Sequence, residues 1–173
     1  MFKSILRTGF VKLMHPTIKL RGINSVKLGT EVKMCEGGRI TLGKNVMTNK
    51  RVTFSAVGGE LVIGDSVSFN RNVIVVCRQS IKIGNHTSFG PNTVIYDHDH
   101  QLNSSGYEGN EYTCSPVVIG DHCWIGANVI ILRGSVIGEG CVIGANAVIK
   151  GKIPAYSLVK GARELSIEAL RKV

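Results

Sequence analysis

The segment Tyr96-Asp-His-Asp-His-Gln101 holds two histidines among aspartates, and it is where this chain could move a proton. An imidazole titrates near neutrality, so it can accept a proton from a hydroxyl or amine as that group attacks a carbonyl. His98 and His100 both qualify by residue type. Asp97 and Asp99 either orient an imidazole or cap the turn they occupy. Asn70, in Ser68-Phe-Asn-Arg-Asn72, falls where its carboxamide could stack in a row of corner asparagines. The other histidines carry less. His86 and His122 fall at outward corner positions of a repeat, and His15 precedes Pro16 in a turn. Cys123 and Cys141 recur at one small interior slot, while Cys35, Cys77 and Cys114 lack zinc spacing, so no metal is expected.

A short repeat must position these groups. Ile119-Gly-Asp-His-Cys-Trp is followed by Ile125-Gly-Ala-Asn-Val-Ile, Ile131-Leu-Arg-Gly-Ser-Val, Ile137-Gly-Glu-Gly-Cys-Val and Ile143-Gly-Ala-Asn-Ala-Val. The same register appears upstream at Leu28, Leu42, Ile63, Phe69, Val75, Ile83, Phe89 and Ile95. This is the signature of a hexapeptide parallel β-helix, an all-β fold. The first residue of each unit points into a narrow prism. The fifth shares that interior and must be small, as Val46, Val67, Thr87, Cys123, Val129, Ser135, Cys141 and Ala147 are. Stacked coils pair as parallel strands about 4.8 Å apart. The spacings from Leu42 to Ile63 and from Ile63 to Ile83 require extra residues at one corner. From Ile95 to Ile119 the gap exceeds any bulge, so a loop over roughly 99–115 leaves the helix and returns.

With 173 residues, 43% of them hydrophobic, the chain suits one domain with a continuous core. No stretch is long and apolar enough to span a membrane, and the start lacks a signal peptide's apolar core. Five cysteines without a secretory signal point to reduced thiols and a cytoplasmic setting. The formal charge is +9, and Lys3, Arg7, Lys12, Lys19, Arg21 and Lys27 all precede the first acid, Glu31. Phe2, Ile5, Leu6, Phe10, Leu13 and Met14 recur at helical spacing, so 1–22 reads as a basic amphipathic segment. It either packs on the end of the coil or touches a membrane surface near lipid-linked substrates. No reading motif accompanies the charge, so nucleic acid is not an expected partner. The coil is expected over 23–153. The tail, 154–173, carries a short helix from Arg163 to Lys172.

The run Pro116-Val-Val-Ile-Gly-Asp-His-Cys-Trp-Ile-Gly-Ala-Asn-Val-Ile-Ile, with Gly134-Ser-Val-Ile-Gly and Ile143-Gly-Ala-Asn-Ala-Val-Ile, resembles the hexapeptide-repeat acetyltransferases. Within them it is most similar to the galactoside and maltose O-acetyltransferases and the capsule and O-antigen sugar acetyltransferases. The resemblance covers about residues 63–154. It implies a left-handed β-helix, an exception to the usual right-handed crossover, and a homotrimer with active sites between subunits. The implied reaction takes acetyl from acetyl-CoA to a sugar hydroxyl, in surface-polysaccharide synthesis, without a metal.

The same resemblance assigns residues. Counting back from Trp124 and Pro116 makes His100 the general base, with His98 the alternative if the register slips by two. Asn70 matches the asparagine that faces the catalytic histidine and the acceptor. Where the galactoside enzymes have an acceptor-binding aspartate this chain has Arg78, which favours an anionic acceptor if it binds a ligand at all. Coenzyme A is expected along main-chain groups at Ala127 and Ala145, with Trp124 at the thioester end and Lys150, Lys152, Lys160 and Arg163 on its phosphates. Trp124 could instead be a trimer contact, and the lysines a solvated tail. Two other readings stand beside this one: an N-acetyltransferase on an amino-sugar nucleotide, and a non-catalytic β-helix scaffold.

Overall fold

The computed structural model describes residues 9, 12–13, 17–27, 29–104 and 106–161. Most of the expected amphipathic segment, Leu28 of the hexad register, the expected C-terminal helix and Arg163 lie outside the described residues. No helix among the described residues is long and apolar enough to cross a membrane.

The hexads stack as a parallel β-helix with three faces. The first face is built from Lys19–Leu20, Arg39–Leu42, Glu60–Ile63, Ser80–Ile83, Val117–Ile119, Val136–Ile137 and Lys152–Ile153. The second holds Met47–Thr48, Ser68–Phe69, Ser88–Phe89, Trp124–Ile125, Val142–Ile143 and Leu158–Val159. The third holds Glu31–Cys35, Thr53–Val57, Ile74–Cys77, Val94–Tyr96, Ile130–Ile131 and Val148–Ile149. Pairing already begins at Lys19–Leu20, inside the expected N-terminal segment, and continues through Leu158–Val159, past residue 153.

The repeat's first residues line up in the core. Leu42, Ile63, Ile83, Ile119 and Ile137 stack on one face and Phe69, Phe89, Ile125 and Ile143 on the next, each no more than 3% exposed. Burying each such side chain is worth about 1.5–3 kcal/mol. Every small fifth residue predicted to point inward is buried. The polar ones donate to a carbonyl of the next coil: Thr87 Oγ1 to Gly120 O at 3.0 Å, Cys123 Sγ to Gly138 O at 3.1 Å, Cys141 Sγ to Pro154 O at 3.0 Å. The thiols thus act here as packing groups.

Each coil bends where one residue adopts a left-handed backbone, which asparagine and glycine tolerate best. Between the second and third faces these residues are Arg51, Asn72, Asn92, Asn128 and Asn146. Asn72, Asn92, Asn128 and Asn146 form a ladder of side-chain hydrogen bonds of 2.9–3.1 Å. Between the first and second faces, His86 and His122 occupy equivalent bends. Their exposed rings stack with centroids 4.9 Å apart, in agreement with the outward reading.

The predicted extra residues lie at the corner between the third and first faces, over 36–38, 58–59 and 78–79. Backbone there approaches closely: a Cβ on Gly59 would sit 2.7 Å from Arg78 C. The inserted segment leaves from this same corner. It is a β-hairpin of His98–Asn103 against Gly106–Cys114, where a loop was expected. Cross-strand hydrogen bonding, which hexad counting cannot register, organises it.

Candidate active site

Asp97 explains how the hairpin joins the coil. In the lower coils, corner N–H groups donate to the next coil: Arg39 N to Gly59 O at 2.9 Å, Glu60 N to Gln79 O at 3.1 Å. Above Ser80 no further wide corner follows, because the chain departs as the hairpin. The fully buried Asp97 carboxylate takes over, accepting from the N–H groups of Arg78, Gln79 and Ser80 at 2.7–2.8 Å. Buried backbone donors without such a partner would be costly. Of the two readings for Asp97, turn cap and imidazole partner, the structure contains both, since its Oδ1 also lies 3.2 Å from His98 Nδ1.

His98 is held on three sides. Its side chain is 11% exposed, and the rings of Tyr96 and Tyr112 stand edge-on at 5.6 and 5.5 Å. A carboxylate only accepts, so the contact places a hydrogen on Nδ1; in the neutral ring Nε2 is then the nitrogen able to accept. His100 is exposed and tilts against Tyr112 at 4.7 Å. Antiparallel register sets His98 opposite Cys114 and His100 opposite Tyr112, so the four share one face of the hairpin. Asp99 and Arg133 form an ion pair, which ties the hairpin to a later coil. The Arg78 guanidinium covers the Tyr112 ring at 3.5 Å from its centroid. Burial, followed by the charge of Asp97, pushes the thiols of Cys77 and Cys114 up, and the shift at Cys77 is large.

Asn70 lies elsewhere. It precedes the third-face strand Ile74–Cys77, whereas His98 follows the third-face strand Val94–Tyr96, so the two occupy opposite edges of that face. One chain does not bring them together. Nor does Asn70 belong to the four-asparagine ladder. Its Oδ1 accepts from Arg71 N at 2.8 Å and from Asn49 Nδ2 at 3.3 Å. It lines a groove of about 370 Å³ on the second face with Lys27, Asn49, Ser68, Ser88 and Trp124. Trp124 is 60% exposed there.

The expected coenzyme residues divide between two corners. Ala127 and Ala145 stack at the corner between the second and third faces, where Ala127 O already accepts from Asn146 N at 2.9 Å. Lys160 follows Leu158–Val159 to that same corner, and Gly161 packs over Ala145. Lys150 and Lys152 flank the corner between the third and first faces, so the lysines do not form one cluster. Coil phase separates them, and that phase is countable from the hexads. Tyr112, Asn49 and Arg133 were not singled out by sequence reasoning. Tyr112 enters through the hairpin's pairing, and Arg133 through its ion pair with Asp99. Asn49 could have been found, since it leads its corner as Asn70 does one coil later. Among the described residues no group of three metal-ligating side chains converges.

Comparison with known proteins agrees with this architecture. Residues 116–151 match the family described as bacterial transferase hexapeptide (six repeats). WbbJ of Escherichia coli K12, named as a lipopolysaccharide biosynthesis O-acetyl transferase, is 33% identical over 72% of this chain and 68% of its own length. A protein of Mycobacterium tuberculosis named as an acetyltransferase is 34% identical over 91% of this chain. The chain spans 56% of that relative's length. The crystal structure of a hexapeptide-repeat acetyltransferase of Vibrio cholerae, complexed with acetyl coenzyme A, is 28% identical with a TM-score of 0.63. That match covers 90% of this chain and 73% of the other. The fold and site therefore define a hexapeptide-repeat β-helix protein. This chain belongs to the hexapeptide-repeat acetyltransferases.

Proposed function

We propose that the protein transfers acetyl from acetyl-CoA to a sugar hydroxyl, with His98 as general base. The observation that carries this reading is the buried Asp97 carboxylate beside Nδ1 of an enclosed His98, which leaves Nε2 as the accepting atom. Nε2 takes the proton as the acceptor oxygen bonds to the acetyl carbon. The C–S bond then breaks, and the departing sulfur is protonated in turn. His100, the base chosen by counting, lies further out on the same strand and lines the approach. Arg78, stacked on Tyr112, takes charge on the acceptor.

The separation of Asn70 from His98 supports a trimeric enzyme in which Asn70 of one subunit completes the site at His98 of the next. The outward row of the third face, Ile74, Val94, Ile130 and Val148, is apolar, and Val148 is 61% exposed. Covering such a row is what a trimer interface would do. Coenzyme A then runs along the corner of Ala127 and Ala145, with Trp124 at its thioester end and Lys160 toward its phosphates. WbbJ's name supports an acceptor from surface-polysaccharide synthesis.

Thiol release from acetyl-CoA across a panel of sugars, sugar nucleotides and lipid-linked sugars tests the reading. Acceptor-dependent release with an O-acetylated product is expected. An N-acetylated product would move the acceptor to an amino sugar, and no release together with no coenzyme A binding would leave a scaffold.

A further inference from the structure

The groove that holds Asn70 and Trp124 ends in cations that the acetyl-transfer chemistry does not use. Lys27 lines it, and Lys50 and Arg71 directly follow Asn49 and Asn70 at its edge; all three are exposed, as is Arg51 beside them. Among the described residues none of the four pairs with a carboxylate. The ion pairs there join Lys33 to Glu31, Arg39 to Glu60, Lys44 to Asp65, His98 to Asp97 and Arg133 to Asp99. Glu31, the acid one strand away beside Thr53, is thus already engaged by Lys33 at 3.0 Å. Along this corner the next cation is Lys160, several coils away. Further along the same corner the chain has Gly90-Pro91, Gly126-Ala127 and Gly144-Ala145.

The amides beside the cations face the same way. Asn49 Oδ1 accepts from Lys50 N at 2.9 Å, and Asn70 Oδ1 accepts from Arg71 N and Asn49 Nδ2. With its oxygen turned to the backbone, Asn70 offers Nδ2 as a donor that meets no acceptor among the described residues. Gathered like charges repel one another, and phosphate oxygens relieve that repulsion through charge-assisted hydrogen bonds. The groove's volume, about 370 Å³, falls within the range of small-molecule sites, about 300–1,000 Å³.

We propose that this end of the groove binds a diphosphate ester, with Lys27, Lys50 and Arg71 on its phosphate oxygens and Asn70 Nδ2 donating beside them. Taken with the acetyl-transfer reading, on which this part rests, the acceptor sugar arrives attached to a diphosphate. A nucleoside diphosphate and a polyprenyl diphosphate present the same chemistry to these side chains.

Calorimetry on the full chain, with coenzyme A at saturation to fill its own diphosphate site, tests the proposal. Inorganic pyrophosphate should bind once per chain. A Lys50→Ala/Arg71→Ala double variant should weaken it at least tenfold with an unchanged melting temperature and coenzyme A affinity. Uridine diphosphate binding tighter than pyrophosphate identifies the nucleotide source; geranyl diphosphate binding tighter identifies the lipid source. Equal pyrophosphate affinity in wild type and double variant overturns the proposal. So does a variant that loses coenzyme A binding instead, because the cations would then serve the acetyl donor. Pyrophosphate binding without acetyl-CoA turnover would overturn the transferase reading alone.

Discussion

Asp97 Oδ1 stands 3.2 Å from Nδ1 of His98, and both side chains are withdrawn from water, Asp97 fully and His98 to 11% exposure. The same carboxylate closes the last wide corner of the coil through three backbone N–H groups. The histidine is therefore oriented by a group whose position the coil already fixes.

The first prediction separates the two histidines. His98→Ala should lower turnover by about 10² to 10⁴, the usual contribution of a general base. Its coenzyme A affinity should stay near wild type. His100→Ala should cost far less, since that side chain is exposed beside Tyr112. Thiol-release kinetics on both variants decide it, and a severe His100 variant with a near-normal His98 variant would return the base to His100.

Asp97→Asn keeps the shape but turns one accepting oxygen into an N–H donor facing backbone donors. Leaving buried donors unpaired costs about 1–3 kcal/mol. The melting temperature should fall accordingly. If Asp97 also orients His98, turnover should drop while the KM for acetyl-CoA holds. A melting shift with unchanged turnover would reduce Asp97 to a turn cap.

The thiols divide by burial. Cys35 is exposed, whereas Cys77, Cys123 and Cys141 are buried, and burial first of all pushes the thiols of Cys77 and Cys123 up. A thiol-reactive dye should label Cys35 in the native protein and the three buried residues only on unfolding. A raised folded-state value also fixes the sign of a pH dependence. The stability is fully present below the unfolded thiol value, about 8.5, and fades as pH rises above it. Melting temperatures measured from pH 7 to 10 should fall on the alkaline side, and less so in Cys77→Ala.

Much of this was legible because a hexad specifies one slot at a time. Ile119, Ile125 and Ile131 needed only their spacing to be assigned to the core, and Cys123 and Cys141 only their size. The site was less legible because it depends on contacts between distant parts of the chain. Asp97 meets 78–80 across a whole coil, and Tyr112 meets His98 and His100 only through the hairpin's register. A two-residue choice between histidines cannot be made by counting to a motif when the intervening segment pairs with itself.

Packing at the corner of Ala127 and Ala145 gives a further prediction. A Cβ on Gly126 would sit 2.7 Å from Ala145 N and 2.8 Å from Ile143 O, both backbone atoms of the next coil. Gly126→Ala should thus cost about 1–3 kcal/mol by overpacking. The neighbouring Ile125→Ala should cost about 2–5 kcal/mol by opening a cavity between Phe89 and Ile143. Denaturant titration measures both. Near-wild-type stability for Gly126→Ala would mean that adjacent coils can separate locally.

Whether the site is shared between subunits can be read without a structure of the assembly. His98 and Asn70 sit at opposite edges of the third face, so each His98→Ala chain still carries an intact Asn70, and each Asn70→Ala chain an intact His98. In a trimer of head-to-tail interfaces, co-refolding the two variants in equal amounts should restore both residues at about one site in four. Activity of the mixture should rise well above the sum of the separate variants and reach about a quarter of wild type, for a random mixture. Light scattering on the same samples should return a mass of three chains. If the mixture is no more active than its components, His98 and Asn70 do not act in one shared site, and Asn70 belongs to the groove alone.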